Sequence, residues 1–300
     1  MGGTFLILVA AFLWALDTLI RYPLVESGLS PITIVFYEHV ILALIFGWGA
    51  VAAFRRIGEL KVADIFSFFV VGCIGSALAT VAFTESFHFL NPSLVILLQK
   101  LQPVIAIFLA AIVLKEPIDK KFILWAAFCM IGGLLVSSPD IERFYHLMVS
   151  DFSLVVSDSA VRGYVLVLIS IVGWGSATVF GKKLTLAGFD TRAILSGRFL
   201  AGLLALIPFV TWNRSLILPH GEDYLRIFIM VFISGALGMY FYYQGLKRIS
   251  AKTAAIAEMF FPLFAIIVNW IFLGKQLTDL QLVGGVILMI GSLIIQFKKY

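Results

Sequence analysis

Ionisable side chains lie inside long apolar blocks of this sequence, where a charge needs a specific reason. A charge at the centre of a bilayer costs about 2.5–3.5 kcal/mol on insertion scales, so such groups face protein-lined cavities and have partners. There they can pair with each other, bind a polar solute or carry a proton. The residues concerned are Asp17, Glu38, His39, Glu85, Lys100, Arg198 and Glu258.

Two prolines mark the strongest candidate site. Gln99 and Glu258 each precede a proline, Pro103 and Pro262, by four residues. Proline removes a backbone hydrogen bond, and a kink inside a membrane helix can open polar backbone towards a cavity. Gln102 shares the helix face of Gln99. The pattern predicts a polar, solute-binding stripe formed by Gln99, Gln102 and Glu258.

The composition indicates that these residues lie in membrane helices. The chain has 300 residues, of which 61% are hydrophobic and 13% charged, whereas a soluble domain has about 25% charged residues. The apolar blocks are near the roughly 20 residues that cross a bilayer as a helix, and they lack strand alternation. Because the basic residues stand in short loops, the net charge of +5 is a signal of membrane orientation and not of nucleic-acid binding.

The fold class predicted is an all-α membrane protein with ten transmembrane helices. More Lys and Arg residues lie on the side of the termini, which predicts both termini in the cytoplasm; Arg21 counts as an outer-loop residue in this assignment. The longest connection, 139–163, is then outward-facing and could hold a surface helix. The predicted spans are 3–20, 33–53, 65–83, 94–113, 122–138, 164–181, 192–212, 225–244, 254–273 and 280–297.

The two halves of the chain resemble each other. When the sequence is aligned with itself at one constant offset, Trp14 matches Trp174 and Gly28 matches Gly188. At an offset shorter by one residue, Pro103 matches Pro262. Five spans per half is an odd number, so the second copy enters the membrane from the opposite side. We therefore predict two inverted five-helix repeats, 1–138 and 164–300, joined by the connector 139–163, an arrangement that suits alternating access around a site at mid-membrane depth.

Six short motifs stand out in the predicted spans and at their ends: Leu13-Trp14-Ala15, Gly173-Trp174-Gly175-Ser176, the segment around Arg198 from Ser196 to Gly202, Leu101-Gln102-Pro103-Val104, Phe260-Phe261-Pro262-Leu263 and Leu114-Lys115-Glu116-Pro117. Together they resemble the drug/metabolite transporter superfamily in its EamA-type ten-helix form. The resemblance covers nearly the whole chain and implies that spans five and ten are peripheral. It also implies a bacterial inner (plasma) membrane protein. Two departures are Glu38 where the second half has Arg198, and Lys275 where the family usually has Glu.

Further candidates for the site come from equivalent positions of the two halves. Glu38 and Arg198 can form a charge pair across the cavity or clamp a zwitterion; alternatively, each caps its own helix. Trp14 and Trp174 are substrate-binding candidates in the first helix of each half. Tyr240 is the aromatic residue expected on the cavity wall, because it shares a helix face with Gln244.

The function predicted is a secondary transporter of a small amphipathic metabolite, with an amino acid as the leading solute and export as the expected direction. The alternatives are a nucleotide-sugar or other metabolite exchanger, and a channel or scaffold. No catalytic or ATP-binding motif is apparent, so neither an enzyme nor a cofactor or metal site is expected. The expected partners are the solute, membrane lipid and a coupling proton or counter-solute, with the chain as a monomer or homodimer.

Overall fold

The computed structural model describes residues 2–47, 60–150, 152–212, 219–246, 248–249, 254 and 257–298. Helices occupy most of these ranges, and no strand occurs within them. The helices are α1 (Gly3–Glu26), α2 (Pro31–Phe46), α3 (Val62–Ser86), α4 (Pro92–Val113), α5 (Lys120–Val136), α6 (Ser138–Ser150), α7 (Phe152–Ser157), α8 (Ser159–Leu186), α9 (Thr191–Trp212), α10 (Gly221–Met230, Val231–Leu237 and Gly238–Leu246), α11 (Phe260–Leu273) and α12 (Asp279–Lys298).

Local sequence explains where several helices begin. Pro31 and Pro92 occupy first-turn positions, where the missing N–H costs nothing. The Asn91 side chain accepts a hydrogen bond from the Ser93 amide at 2.9 Å and caps α4. Asp119 and Asp158 cap α5 and α8 in the same way. The short loops therefore carry the signals that separate one apolar helix from the next.

Seven of the helices in the described ranges are long and apolar enough to cross a membrane: α1, α3, α4, α8, α9, α10 and α12. A further pair, α5 and α6, passes the same test together but bends by 73° at its break. α2 and α11 are apolar but shorter, at 16 and 14 residues. α1 continues to Glu26, beyond the predicted end of the first span, so placing Arg21 in an outer loop was wrong.

The helices of the two halves pack across each other. α1 lies against α10 and α11, α8 lies against α3 and α4, α2 against α9, and α5 against α12. The α5–α12 contact is close because glycines face each other there: a Cβ on Gly284 would lie 2.6 Å from the Val136 amide nitrogen. The largest cluster of buried hydrophobic residues consequently contains residues of both halves.

Unusual backbone features occur at matching positions of the two halves. Gly28 and Gly188, related by the offset that relates the two tryptophans, follow α1 and α8 with φ of 89° and 91°. Lys115 and Gly274, related by the offset of the two prolines, follow α4 and α11 with φ of 57° and 64°. α3 and α10 each contain a π-helical stretch, at Val70–Leu78 and Val231–Leu237.

The connector predicted at 139–163 is helical. α6 contains both acidic and apolar residues, and the bend of 73° after α5 turns it away from the axis of that helix. α8 begins at Ser159, ahead of the predicted start of the second half. The Arg143 guanidinium donates to Asp158 at 2.8 Å, which ties α6 to the beginning of α8.

Candidate solute-binding cavity

Two adjoining cavities lie between the halves, with volumes of about 320 and 590 Å³. Their walls come from α1, α2, α3, α4, α8, α9, α10, the beginning of α11 and Glu258 just before it. None of the described residues lining them belongs to α5 or α12, in agreement with the prediction that spans five and ten are peripheral. The residues that line both cavities are Trp14, Glu38, Thr80, Phe83, Trp174, Arg198 and Met239.

Two aromatic pairs form matching parts of the wall. The Trp14 indole lies 5.3 Å from the ring of Tyr242 on α10, and the Trp174 indole lies 5.3 Å from the ring of Phe83 on α3. In each pair a first helix of one half meets the third helix of the other half. Offset and tilted rings at this distance attract each other beyond the burial of their area. The pairs therefore give the cavity two aromatic surfaces, one from each side of the repeat.

A buried ion cluster, which we call the Arg21 cluster, consists of Asp17, Arg21 and Glu38. Arg21 is only 4% exposed. Its Nε donates to Asp17 at 2.7 Å and its Nη1 to Glu38 at 2.9 Å, with Thr84 a further acceptor at 3.2 Å. Ser234 on α10 donates to Asp17 at 2.9 Å. The cluster joins α1, α2 and α3 of the first half to α10 of the second.

Arg198 lies on the cavity wall against α3. Its Nε donates to the Ser76 hydroxyl at 3.2 Å, and its Nη2 lies 3.4 Å from the carbonyl oxygen of Gly75. His39 also contacts Ser76, at 3.0 Å, and its Nδ1 is 2.9 Å from the Val35 carbonyl. His39 is thus held by packing contacts on α2 and α3, although its edge still reaches the cavity.

Glu258 brings an acid to the other side of the cavity. The Tyr242 hydroxyl donates to its carboxylate at 2.7 Å. Lys100 lies nearby, with its ammonium 5.3 Å from the centre of the Phe261 ring. Glu258 is helical and lies two residues before the first residue of α11, and Lys100 lies in the 3₁₀ turn Gln99–Leu101 of α4. The first of the two fourth helices is therefore irregular just before its proline.

Most of the predicted site residues surround the same space. Trp14, Glu38, Gln99, Trp174 and Arg198 line the first cavity. Gln102 and Glu258 line the second, where Gln102 donates to Thr178 at 3.5 Å. These residues are close enough to form one site. Binding of a solute by them stays a prediction.

The placement of Tyr240 on the cavity wall was wrong. Its side chain is 59% exposed, and Tyr242 lines the cavity instead. Beyond the π-helical stretch of α10, the inner face contains Met239 and Tyr242, which share a face of the helix, and Tyr240 lies about 100° round the helix from Met239. Choosing the face from Gln244 therefore selected the wrong aromatic residue.

Glu38 forms an ion pair with Arg21 at 2.9 Å. The charge pair or zwitterion clamp expected of Glu38 and Arg198, which both line the two cavities, stays a prediction. Glu85 pairs with Arg162 at 3.2 Å, outside the two cavities. Arg21 lines the second cavity but was not among the predicted substrate-binding residues; its four-residue spacing from Asp17 indicated the ion pair that the two residues form.

Metal chemistry has no support from this geometry. Within the ranges that the structure describes, no group of three or more His, Cys, Asp or Glu side chains is arranged to hold a metal ion. The cavity instead offers aromatic faces, amides, hydroxyls and charged groups, which is the mixture expected where a small organic molecule binds.

Comparison with known proteins identifies the family. The EamA-like transporter family matches residues 1–138 and, a second time, residues 161–297. The chain belongs to this family. It is an integral membrane protein and a transporter, and the resemblance drawn from its motifs is confirmed. The two matches of the EamA-like family together cover almost the whole chain.

Relatives of this EamA-like transporter have several names. The "Riboflavin transporter ImpX" of Fusobacterium nucleatum is 28% identical, over 99% of this chain and 97% of that protein. "Protein PecM" of Dickeya dadantii is 26% identical over 76% and 72%. A "Probable amino-acid metabolite efflux pump" of Salmonella typhimurium is 24% identical over 61% and 60%.

A solved crystal structure has the same fold as this EamA-like transporter. The superposition has a TM-score of 0.59 and covers 98% of this chain and 96% of the other, at 16% sequence identity. At that identity the likeness concerns the fold alone.

Proposed function

We propose that this EamA-like transporter is a secondary carrier that moves a small amphipathic metabolite by alternating access. The observation that carries the proposal is the cavity between the halves, to which equivalent helices of both halves contribute equivalent aromatic pairs. A carrier needs a site that both halves can expose in turn, and such sites lie at the interface of repeats. A channel or scaffold would not require matched walls.

Ten spans are the count that we propose for this carrier. α2, α5 and α11 are apolar helices too short to qualify singly; with the seven longer ones they make ten. Residues 48–59 after α2, and residues 250–253 and 255–256 before α11, lie outside the ranges that the structure describes. An even number of spans agrees with both termini lying on one side of the membrane.

Inverted repeats, 1–138 and 164–300, are supported by the paired backbone features. Positive φ angles follow both first and both fourth helices, and π-helical stretches occupy both third helices. The family also matches the chain twice. With five spans in each half, these matching units would enter the membrane in opposite directions, and their exchange of conformation would expose the cavity to each side alternately.

The leading solute class that we propose is a planar heteroaromatic metabolite with little net charge. The carboxylates of Asp17 and Glu38 are already engaged by Arg21, which removes them as partners for an amine. The indoles of Trp14 and Trp174 can instead pack on a flat ring. Riboflavin, named for a relative that matches along its full length, has such a ring and a polyol tail, and is therefore the first molecule to test.

An amino acid is the second candidate. Arg198 and Glu258 both line the second cavity, and together they offer a base for a carboxylate and an acid for an amine. The name of the Salmonella relative agrees with such a solute. Export is the direction that we expect for either class.

Transport can be tested with purified protein in liposomes. Counterflow of radiolabelled riboflavin and of a panel of amino acids should be saturable, and unlabelled solute inside the vesicles should accelerate it. If riboflavin is the solute, Arg198→Gln should reduce its transport by no more than about 100-fold, since one hydrogen bond from a charged donor to a neutral acceptor contributes about 1.5–3 kcal/mol. For an amino acid, the same variant should lose more, because an ion pair with the carboxylate of the solute is removed.

The matched control is a liposome preparation containing Trp14→Ala/Trp174→Ala protein, which lacks the indole of each aromatic pair. Uptake that is linear in concentration and unaffected by internal solute would contradict a carrier and favour a channel.

Membrane orientation is a separate prediction. We propose that both termini are cytoplasmic and that the connector 139–163 faces outward, in the inner membrane of a bacterium. In a variant lacking Cys73 and Cys129, a cysteine at Ser157 should react with an impermeant reagent added to intact cells, and one at Lys61 should not. The opposite labelling pattern would refute the orientation.

A further inference from the structure

Two ionic contacts connect the halves at the ends of their first helices. In the first, which we call the Lys275 latch, the Lys275 ammonium lies 3.7 Å from the Glu26 carboxylate and 4.8 Å from the centre of the Tyr22 ring. The Tyr22 hydroxyl donates to the same carboxylate. In the second, the Glu116 latch, the Lys182 ammonium donates to the Glu116 carboxylate.

The latches occupy equivalent positions of the repeat. Tyr22 and Lys182 are related by the offset of the two first helices, and Glu116 and Lys275 by the offset of the two fourth helices. Each latch joins the first helix of one half to the loop after the fourth helix of the other half. The loops have the same shape, because the residue immediately before Glu116 and the one immediately before Lys275 both adopt a positive φ.

The two latches have opposite polarity. The loop supplies the anion, Glu116, in one and the cation, Lys275, in the other. A glutamate at position 275 would lie close to Glu26 and repel it. Lys275, which stands where the first half has Glu116, therefore matches the charge of its partner Glu26. The aromatic face of Tyr22 also attracts a cation and would not attract an anion.

The environment keeps the Lys275 latch charged. Lys275 lies in the loop between α11 and α12, outside the spans. The Tyr22 hydroxyl, and after it Glu26, raise the pKa of Lys275 above its ordinary value. Its charge therefore persists through neutral pH.

Aromatic contacts connect the Lys275 latch to the cavity. The Tyr22 ring lies 6.0 Å from that of Phe87, which lies 4.8 Å from that of Phe83. Phe83 contacts Trp174 at 5.3 Å, on the cavity wall. The row of packed rings that begins at Trp174 on the cavity wall therefore ends at the Lys275 latch, so a movement of α8 that repositions Trp174 also acts on this row.

We propose that the two latches are the closing contacts of opposite ends of the cavity, and that each is released when its own end opens. This inference rests on the proposed alternating-access function. The latches thereby determine how the population divides between conformations open at one end and at the other.

Charge reversal tests the proposal without requiring a known solute. The reporter is Met239→Cys, on the wall of both cavities, in a protein with alanine at positions 73 and 129. Its reaction with an impermeant thiol reagent is measured in intact cells and in inside-out vesicles. Lys275→Glu should accelerate labelling from one side by about twofold to fivefold, and Glu116→Lys should do so from the other side.

Restored pairs provide the internal check. Glu116→Lys/Lys182→Glu should return labelling to the parent pattern. Glu26→Lys/Lys275→Glu should return it only in part, because the face of Tyr22 attracts a cation and not an anion. Arg226→Glu is the matched control, since Arg226 pairs only with residues of its own helix among the ion pairs described. Acceleration from the same side by both single variants, or by neither, would overturn the proposal.

Labelling and transport are independent measurements. If the latch variants shift labelling as expected but the parent protein carries no solute tested by counterflow, the latches stand and the solute assignment is at fault. If the parent transports and the variants label like the parent, the carrier proposal stands and the latches are wrong.

Discussion

Replacing Arg21 with Leu is expected to destabilise the protein by about 3–5 kcal/mol, because the change leaves two buried carboxylates without their cation. Asp17 and Glu38 both receive hydrogen bonds from Arg21, which is almost fully buried. Unpaired, they would repel each other inside the bundle. The measurement is the loss of monodisperse protein on size exclusion after heating in detergent.

Neutralising the whole Arg21 cluster should cost much less. In the variant Asp17→Asn/Arg21→Gln/Glu38→Gln no charge remains buried, and amides can retain some of the hydrogen bonds. Arg226→Gln removes an exposed pair and should change stability by about 0–1 kcal/mol. A melting curve for Arg21→Leu that overlays the curve for Arg226→Gln would show that the cluster does not hold the helices together.

Replacing Glu258 with Gln is expected to reduce counterflow by about 10- to 100-fold. A hydrogen bond from a solute amine to the charged Glu258 carboxylate would contribute about 1.5–3 kcal/mol, and Glu258 lines the cavity, where it also accepts from Tyr242. The substitution also leaves Lys100 without its nearby acid. Tyr242→Phe should have a smaller effect, because the carboxylate remains.

Glu142→Gln is the matched control for this variant. It is the same chemical change on α6, at an exposed position remote from the two cavities. Rates are normalised to folded protein in the membrane and measured from about pH 5 to pH 8. Parent-like transport by Glu258→Gln throughout that range would remove Glu258 from the solute site.

The sequence predicted the helical membrane class, the family and most of the residues that meet at the cavity. Those residues were recognisable because a charge or amide in an apolar block is costly, and because Gln99 and Glu258 stand at the same distance from a proline. Trp14 and Trp174 were recognisable from the repeat. Each of these signals is local or depends on a fixed offset along the chain.

What the sequence could not supply was the choice among partners. The sequence paired Arg21 with Asp17 only, and the packing of α1 and α2 adds Glu38 as a second partner of Arg21. The helix face of Tyr240 and Tyr242 likewise depends on the turn geometry before them. Short-range periodicity assumes regular α-helix, and α10 departs from it.

The π-helical stretches of α3 and α10 also set a rotational register. A π turn accommodates one more residue than an α turn, so every side chain beyond it is rotated relative to a regular helix. Phe83 and Tyr242, the partners of the two indoles, both lie beyond such a stretch. Each stretch therefore works as an angular offset built into the helix: shortening it by one residue would restore regular hydrogen bonding and turn the downstream aromatic ring by about 100°, away from the cavity.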